Sequence, residues 1–248
     1  MNVKQYRQQV EADLASAALA ANSTALGGPT TATPEQAWAT ATEQLADPSK
    51  AVETRRNALR ILQGGTFQGE LFSAFHPGFL RALRIAATDD DGDLRHDALD
   101  ALVNFKDEFA RQVLTEGLQG TGKTLVPAAA ALGLLARDDH GSANAIAREL
   151  LGTATDIPTR AQAVRVLGAD PAATGLLDGI MRDKNEFEEV RRAGAVALRS
   201  LDPSRFENSA LEIVQDASDF GEIKASVSGA LERAGIPLDR PPSVPGLK

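Results

Sequence analysis

The sequence predicts an all-α protein: a right-handed α-solenoid of antiparallel helix pairs, about six repeats long, with an N-terminal capping helix. Three observations predict it. An amphipathic nine-residue segment recurs six times along the 248 residues. Helix-start signals follow most copies after a short break. Hydrophobic residues make up 43% of the chain but aromatics only 4%, so the apolar surface is mainly Ala and Leu. These residues form helices readily and strands poorly.

The six segments begin at Thr54, Leu94, Thr124, Thr159, Val190 and Ile223, at intervals of 40, 30, 35, 31 and 33 residues. Their fifth column holds Ala58, Ala98, Ala128, Ala163, Gly194 and Val227, and their ninth holds Leu62, Leu102, Leu132, Leu167, Leu198 and Leu231. A small residue lets two helix backbones approach, and a Leu one turn later fills the same face. The second column is basic in five copies: Arg55, Arg95, Arg160, Arg191 and Lys224. The turn before each of these holds Asp47, Asp89, Asp156, Asp183 or Asp219. Such pairs are expected to tie a turn to the helix that follows it, each adding about 0 to 1 kcal/mol when exposed.

The remaining elements follow in order. Residues 1–33 read as an N-terminal helix and a flexible linker, "NSTALGGPTTAT". "TPEQAWATATEQLADPSK" reads as the second helix of an incomplete first repeat, with Trp38 on its buried side. Residues 34–235 form the array. Second helices start at capping residues: Asp107, Ser142, and Asp170 and Asp202, each followed by Pro at the first helical position. Residues 236–248 hold four Pro and are expected to be an extended, mobile tail.

"DKNEFEEVRRAGAVALRSLDP" resembles the HEAT-like repeat of the phycobilisome-lyase type, whose pattern is an acidic turn, "VRRAAVxAL", then "DP" and a second helix. The resemblance covers about Asp47 to Ala234. The second and fifth copies match best, and the third is degenerate. It implies the solenoid fold, and a concave surface lined by second helices. This repeat serves many unrelated tasks, so function must rest on a site.

Several function classes are disfavoured. The formal charge of -8 repels nucleic acid and anionic membranes. Without Cys there is no disulfide, thiolate metal site or Cys nucleophile. No metal or cofactor is expected. "GLQGTGKT", Gly117 to Thr124, satisfies the phosphate-loop pattern G-x-x-x-x-G-K-[ST]. That loop works only between a buried strand and a helix, and "DEFARQVLTEGL" before it has helical spacing. It reads as a turn in which glycine ends one helix and Thr124 starts the next. "TDDDGDLRHDALDAL" suggests a calcium loop, but with Gly92 at position six the first and twelfth positions are Ala87 and Ala98. It reads as an acidic turn before a helix beginning near Asp93. The His-Glu pairs of deoxyhypusine hydroxylase and the basic face of HEAT-fold DNA glycosylases are missing, and nothing outside the repeat points to a bilin.

The expectation is therefore a cytoplasmic, non-catalytic scaffold or adaptor, monomeric or homodimeric, binding a protein or peptide on its concave surface. The candidate contacts are Arg81, Arg84, Glu108, Arg111, Arg148, Asp178 and Arg182. Phe72 and Phe75, in the Phe-rich insertion at 65–80, are either aromatic anchors for that partner or core residues. Two alternatives stand beside this reading. One is a lyase-like HEAT-fold enzyme or small-ligand-binding protein with a site in the groove. The other is a self-associating subunit with a swapped N-terminal helix.

Overall fold

A computed structural model describes residues 32–138, 140–219 and 221–242. The N-terminal helix and linker expected over 1–33 lie almost wholly outside the described residues. Those residues are all-α: they form thirteen α-helices and two short 3₁₀ segments, with no strand among them. The chain divides into two compact units between Leu102 and Val103.

The first unit holds α1 (Pro34–Ala46), α2 (Val52–Gly65), α3 (Glu70–Ser73), α4 (His76–Ala86) and most of α5 (Gly92–Asn104). Helix α1 begins at a capping box: the Thr33 hydroxyl accepts from the Gln36 amide and the Gln36 side chain accepts from the Thr33 amide. A cap of this kind stabilises a helix by about 1 kcal/mol. Helix α1 packs on α2 and α4 and buries Trp38, Ala41 and Leu45. Trp38 meets Phe72 edge-on at 5.1 Å and Phe75 at 5.5 Å between ring centroids. Phe72 meets Phe79 edge-on at 5.9 Å. Such contacts add about 0.5–1.5 kcal/mol each beyond the area they bury. Phe72 is only 2% exposed, which corrects its reading as a partner anchor: it is core. Phe75 is half-buried in the same cluster, while Phe67 lies 83% exposed.

The second unit holds α6 (Glu108–Leu118), α7 (Ala128–Asp138), α8 (His140–Thr153), α9 (Ile157–Leu167), α10 (Thr174–Arg182), α11 (Glu188–Leu201), α12 (Pro203–Gln215) and α13 (Glu222–Arg233). Helices α7, α9, α11 and α13 each pack on the next in that series, and α10 packs on α12. Their shared core includes Leu132, Leu167, Leu198 and Leu231, all fully buried. At Gly194 an added Cβ would lie 3.3 Å from the Leu177 carbonyl oxygen and from Ile180 Cγ2, so α10 and α11 approach closely there. This is the role expected of the small fifth column.

Caps fall where the sequence places them at Asp107, Asp170 and Asp202, which accept from the amides of Phe109, Ala172 and Arg205. Three expectations need correction. Helix α7 starts at Ala128 rather than Thr124, because Pro127 has no amide to give and instead offers its carbonyl to the Ala131 amide. Ser142 lies inside α8 and does not cap it. The tail is neither extended nor free over 236–242. Ile236 and Leu238 pack on the core, the Arg240 amide donates to the Pro237 carbonyl at 3.2 Å, and Arg240 pairs with Glu207 at 2.6 Å. The Gln215 side-chain amide donates to the Leu238 and Arg240 carbonyls at 3.1 and 2.7 Å.

The second-column cations also do more than the sequence suggests. Arg55, Arg160 and Arg191 close the end of the preceding helix by donating to its carbonyls, and Lys224 and Arg95 donate to carbonyls just beyond it. Arg55 Nε reaches Leu45 O, Arg160 Nη1 reaches Leu151 O at 2.7 Å, and Arg191 Nε reaches Met181 O at 3.0 Å. Lys224 Nζ reaches Asp216 O at 2.9 Å, and Arg95 reaches the backbone of Asp89. Three of them also pair with a carboxylate, and it is the one in the following turn. Arg55 takes Asp89, Arg160 takes Glu186, and Arg191 takes Asp219 through two bonds of 3.0 and 2.6 Å. The expected pairing with the turn before each helix is thus corrected. Those Asp residues serve their own turns: Asp47, Asp89 and Asp183 each accept from the amide two residues on, and Asp156 caps α9 through the Thr159 amide.

Candidate functional site

Two surface grooves in the second unit are large enough to take a ligand. One, of about 520 Å³, lies between α6 and α8. The other, of about 640 Å³, lies between α9 and α11.

The α6–α8 groove follows from the spacing on α6. Glu108, Gln112, Thr115, Glu116 and Gln119 recur at helical intervals and form its polar face, while Ala110 and Leu114 face the core. Helix α8 supplies Ala145 and Ile146 as the apolar side. Arg111 stands in the groove, donating from Nε to Asp138 at 2.8 Å and from Nη1 to Glu108 at 3.1 Å. Gln112 Nε2 donates to Glu116 at 2.8 Å. The Asp138 side chain is 3% exposed, and its second oxygen, Oδ1, is buried with no hydrogen-bond partner. The groove therefore offers hydrogen-bonding side chains along an apolar edge, with two carboxylates, Glu108 and Asp138, on one guanidinium.

The α9–α11 groove has a different character. Gly168, Ala193 and Ala197 form a flat apolar floor beside Val196, which is 57% exposed. Its charged rim is engaged: Arg165 pairs with Glu189 at 3.4 Å, and Arg192 pairs with Glu222.

The sequence-predicted contacts are distributed unevenly. Glu108 and Arg111 come together in the α6–α8 groove. Arg148 pairs with Asp170, whose carboxyl is held below the usual range first by that guanidinium and then by the Ala172 amide. Asp178 accepts from Ser209 and lies 3.5 Å from Arg205, and Arg182 pairs with Glu212. Arg148, Asp178 and Arg182 thus tie neighbouring elements together. Arg81 and Arg84 lie exposed on α4 in the first unit. Reasoning from sequence missed Gln112, Glu116 and Gln119. Their signal was present, since Glu108, Gln112, Thr115, Glu116 and Gln119 mark one polar face of a single helix.

The two motif lures resolve into ordinary helix ends. Gly117–Thr124 starts in the last turn of α6. The amides of Thr121 and Gly122 both donate to the Glu116 carbonyl, at 2.9 and 3.1 Å, and Gly120 takes φ 69°, a left-handed turn that suits glycine. The Thr121 and Gly122 amides are thus spent on the helix end, where the dipole is negative and disfavours a phosphate. In the acidic stretch, Asp89 pairs with Arg55 and Asp91 with Arg56, while Asp91 also accepts from the Leu94 amide at 2.8 Å and so caps α5. The Leu94 amide, then the Arg56 guanidinium, hold the Asp91 carboxyl below its ordinary range. Among the described residues no group of three His, Asp or Glu is placed to hold a metal ion. No helix of the described residues is long and apolar enough to cross a membrane.

No protein-family model matches the sequence, and no curated protein is similar to it.

Proposed function

We propose that this chain is a right-handed α-solenoid of HEAT-like repeats that acts as a non-catalytic scaffold in the cytoplasm, binding a protein or peptide along the face made by its second helices. The packing of α7, α9, α11 and α13 in series, with α10 on α12, supports the repeat reading for the second unit. The observation that carries the functional reading is the α6–α8 groove. It is an open trough between two second helices, with side-chain amides, hydroxyls and carboxylates set along an apolar surface rather than a closed pocket. Side chains of this kind hydrogen-bond to a peptide backbone, whereas small-molecule sites are mostly enclosed and apolar. Its titratable side chains are two glutamates and an arginine already held by Asp138.

The test is site-specific photo-crosslinking in the native cell. A photoreactive residue at Gln112 is expected to trap a defined protein, and the same residue at Ser200, in the α9–α11 groove, is not. A trap at Ser200 with none at Gln112 would place the binding face on the other side of the helix pairs and sink this reading.

A further inference from the structure

The α6–α8 groove has a chemistry that specifies its occupant more closely. We infer that it takes a non-helical, arginine-bearing segment of a partner protein; this rests on the scaffold reading above. Charge complementarity is the first ground. Glu108 and Glu116 line the groove, Arg111 is the cation its lining residues supply, and that guanidinium is already shared between Glu108 and Asp138 behind it. An Arg suits such a place because its planar fork binds carboxylates through paired bonds. The chain's overall charge of -8 steers the same kind of partner toward it.

The second ground is independent of charge counting. The protein already holds one segment of this kind on another second helix. On α12, Gln215 donates its side-chain amide to two backbone carbonyls of the turn at 237–240, and Glu207 takes the guanidinium of Arg240. Helix α6 carries the same two residue types on its groove face at other spacings, Gln112 and Gln119 beside Glu108 and Glu116, with Gln112 donating to Glu116. There the groove beside them is open. The tail on α12 is thus an internal example of the contact proposed for α6: glutamine for backbone carbonyls, glutamate for the arginine.

Fluorescence anisotropy with the full-length protein tests this. Two fluorescein-labelled Pro-rich dodecapeptides serve as probes, identical except that three arginines in one are glutamates in the other. The arginine peptide is expected to bind, and more weakly as salt rises. Glu108→Lys is expected to weaken it by about tenfold. Glu108 has a side chain 77% exposed, so the substitution leaves the fold intact, and circular dichroism checks this. Glu189→Lys, in the α9–α11 groove, is expected to change nothing. The inference is overturned if neither peptide binds, if the glutamate peptide binds as well, if Glu108→Lys has no effect, or if Glu189→Lys weakens binding equally. Cross-linking at Gln112 without arginine-peptide binding removes only this specification of the partner. A failure of cross-linking removes the scaffold reading itself.

Discussion

At the residue scale, the second-column cations are the most consequential feature. Arg191 is 5% exposed and Asp219 4%, and a guanidinium so deeply placed must be fully paired. It binds the end of α10 through the Met181 carbonyl and the next turn through Asp219, so one side chain fixes a helix end and a turn together. Removing one partner leaves a buried charge alone. Asp219→Ala is expected to cost about 3–5 kcal/mol in urea unfolding. The double substitution Arg191→Met with Asp219→Leu is expected to recover much of that loss, because the stranded charge goes with its partner. Equal losses in the single and double variants would mean that the pair is an ordinary surface bridge. The sequence displayed both residues, yet it suggested the wrong partner. A basic residue and an Asp close together in sequence looked like a pair, but the side chain of Arg191 extends to the following turn, and only the stacking of helices brings that turn within reach.

At the element scale, helix positions were legible because the pattern that defines them is local. The column-five residue (Ala, Gly or, in the sixth copy, Val227) and the column-nine Leu both face the core in every copy except the third, where Ala128 is only half-buried. The third copy departs because Pro127 delays the helix, and Leu125 and Val126 are buried from the segment that precedes it. The Phe-rich insertion was ambiguous for a physical reason. Four Phe at irregular spacing fit either an exposed loop or a broken helix, and the choice depends on Trp38, about thirty residues earlier. In the structure Gly65 ends α2 against that cluster. A Cβ there would lie 2.6 Å from the Phe72 ring and 2.8 Å from Trp38 Nε1. Gly65→Ala is expected to destabilise the protein by about 1–3 kcal/mol through overpacking. Gly152→Ala, in α8 with nothing within 4 Å of the added methyl, is expected to be neutral or to stabilise by up to about 1 kcal/mol. If both changes behave alike in urea unfolding, helix propensity rather than the aromatic cluster decides the effect.

At the scale of the whole molecule, the all-α class was legible from composition and periodicity, but the binding face was not. The sequence can show which side of a helix is polar. It cannot show which polar residues are consumed by the fold. Arg148, Asp178 and Arg182 are engaged between neighbouring helices, whereas Glu108 and Arg111 share a groove with Gln112, Glu116 and Gln119. Charge at a position predicted availability poorly, because inter-helix pairs draw on the same residue types as a partner would. The central claim is that the face of the second helices, at the α6–α8 groove, is where this protein receives another chain. Amide hydrogen exchange on the full-length protein, with and without the arginine peptide, tests it most directly. The expected result is slower exchange confined to residues 108–119 and 142–146. Slower exchange at residues 165–200 instead, or no change anywhere, would contradict it.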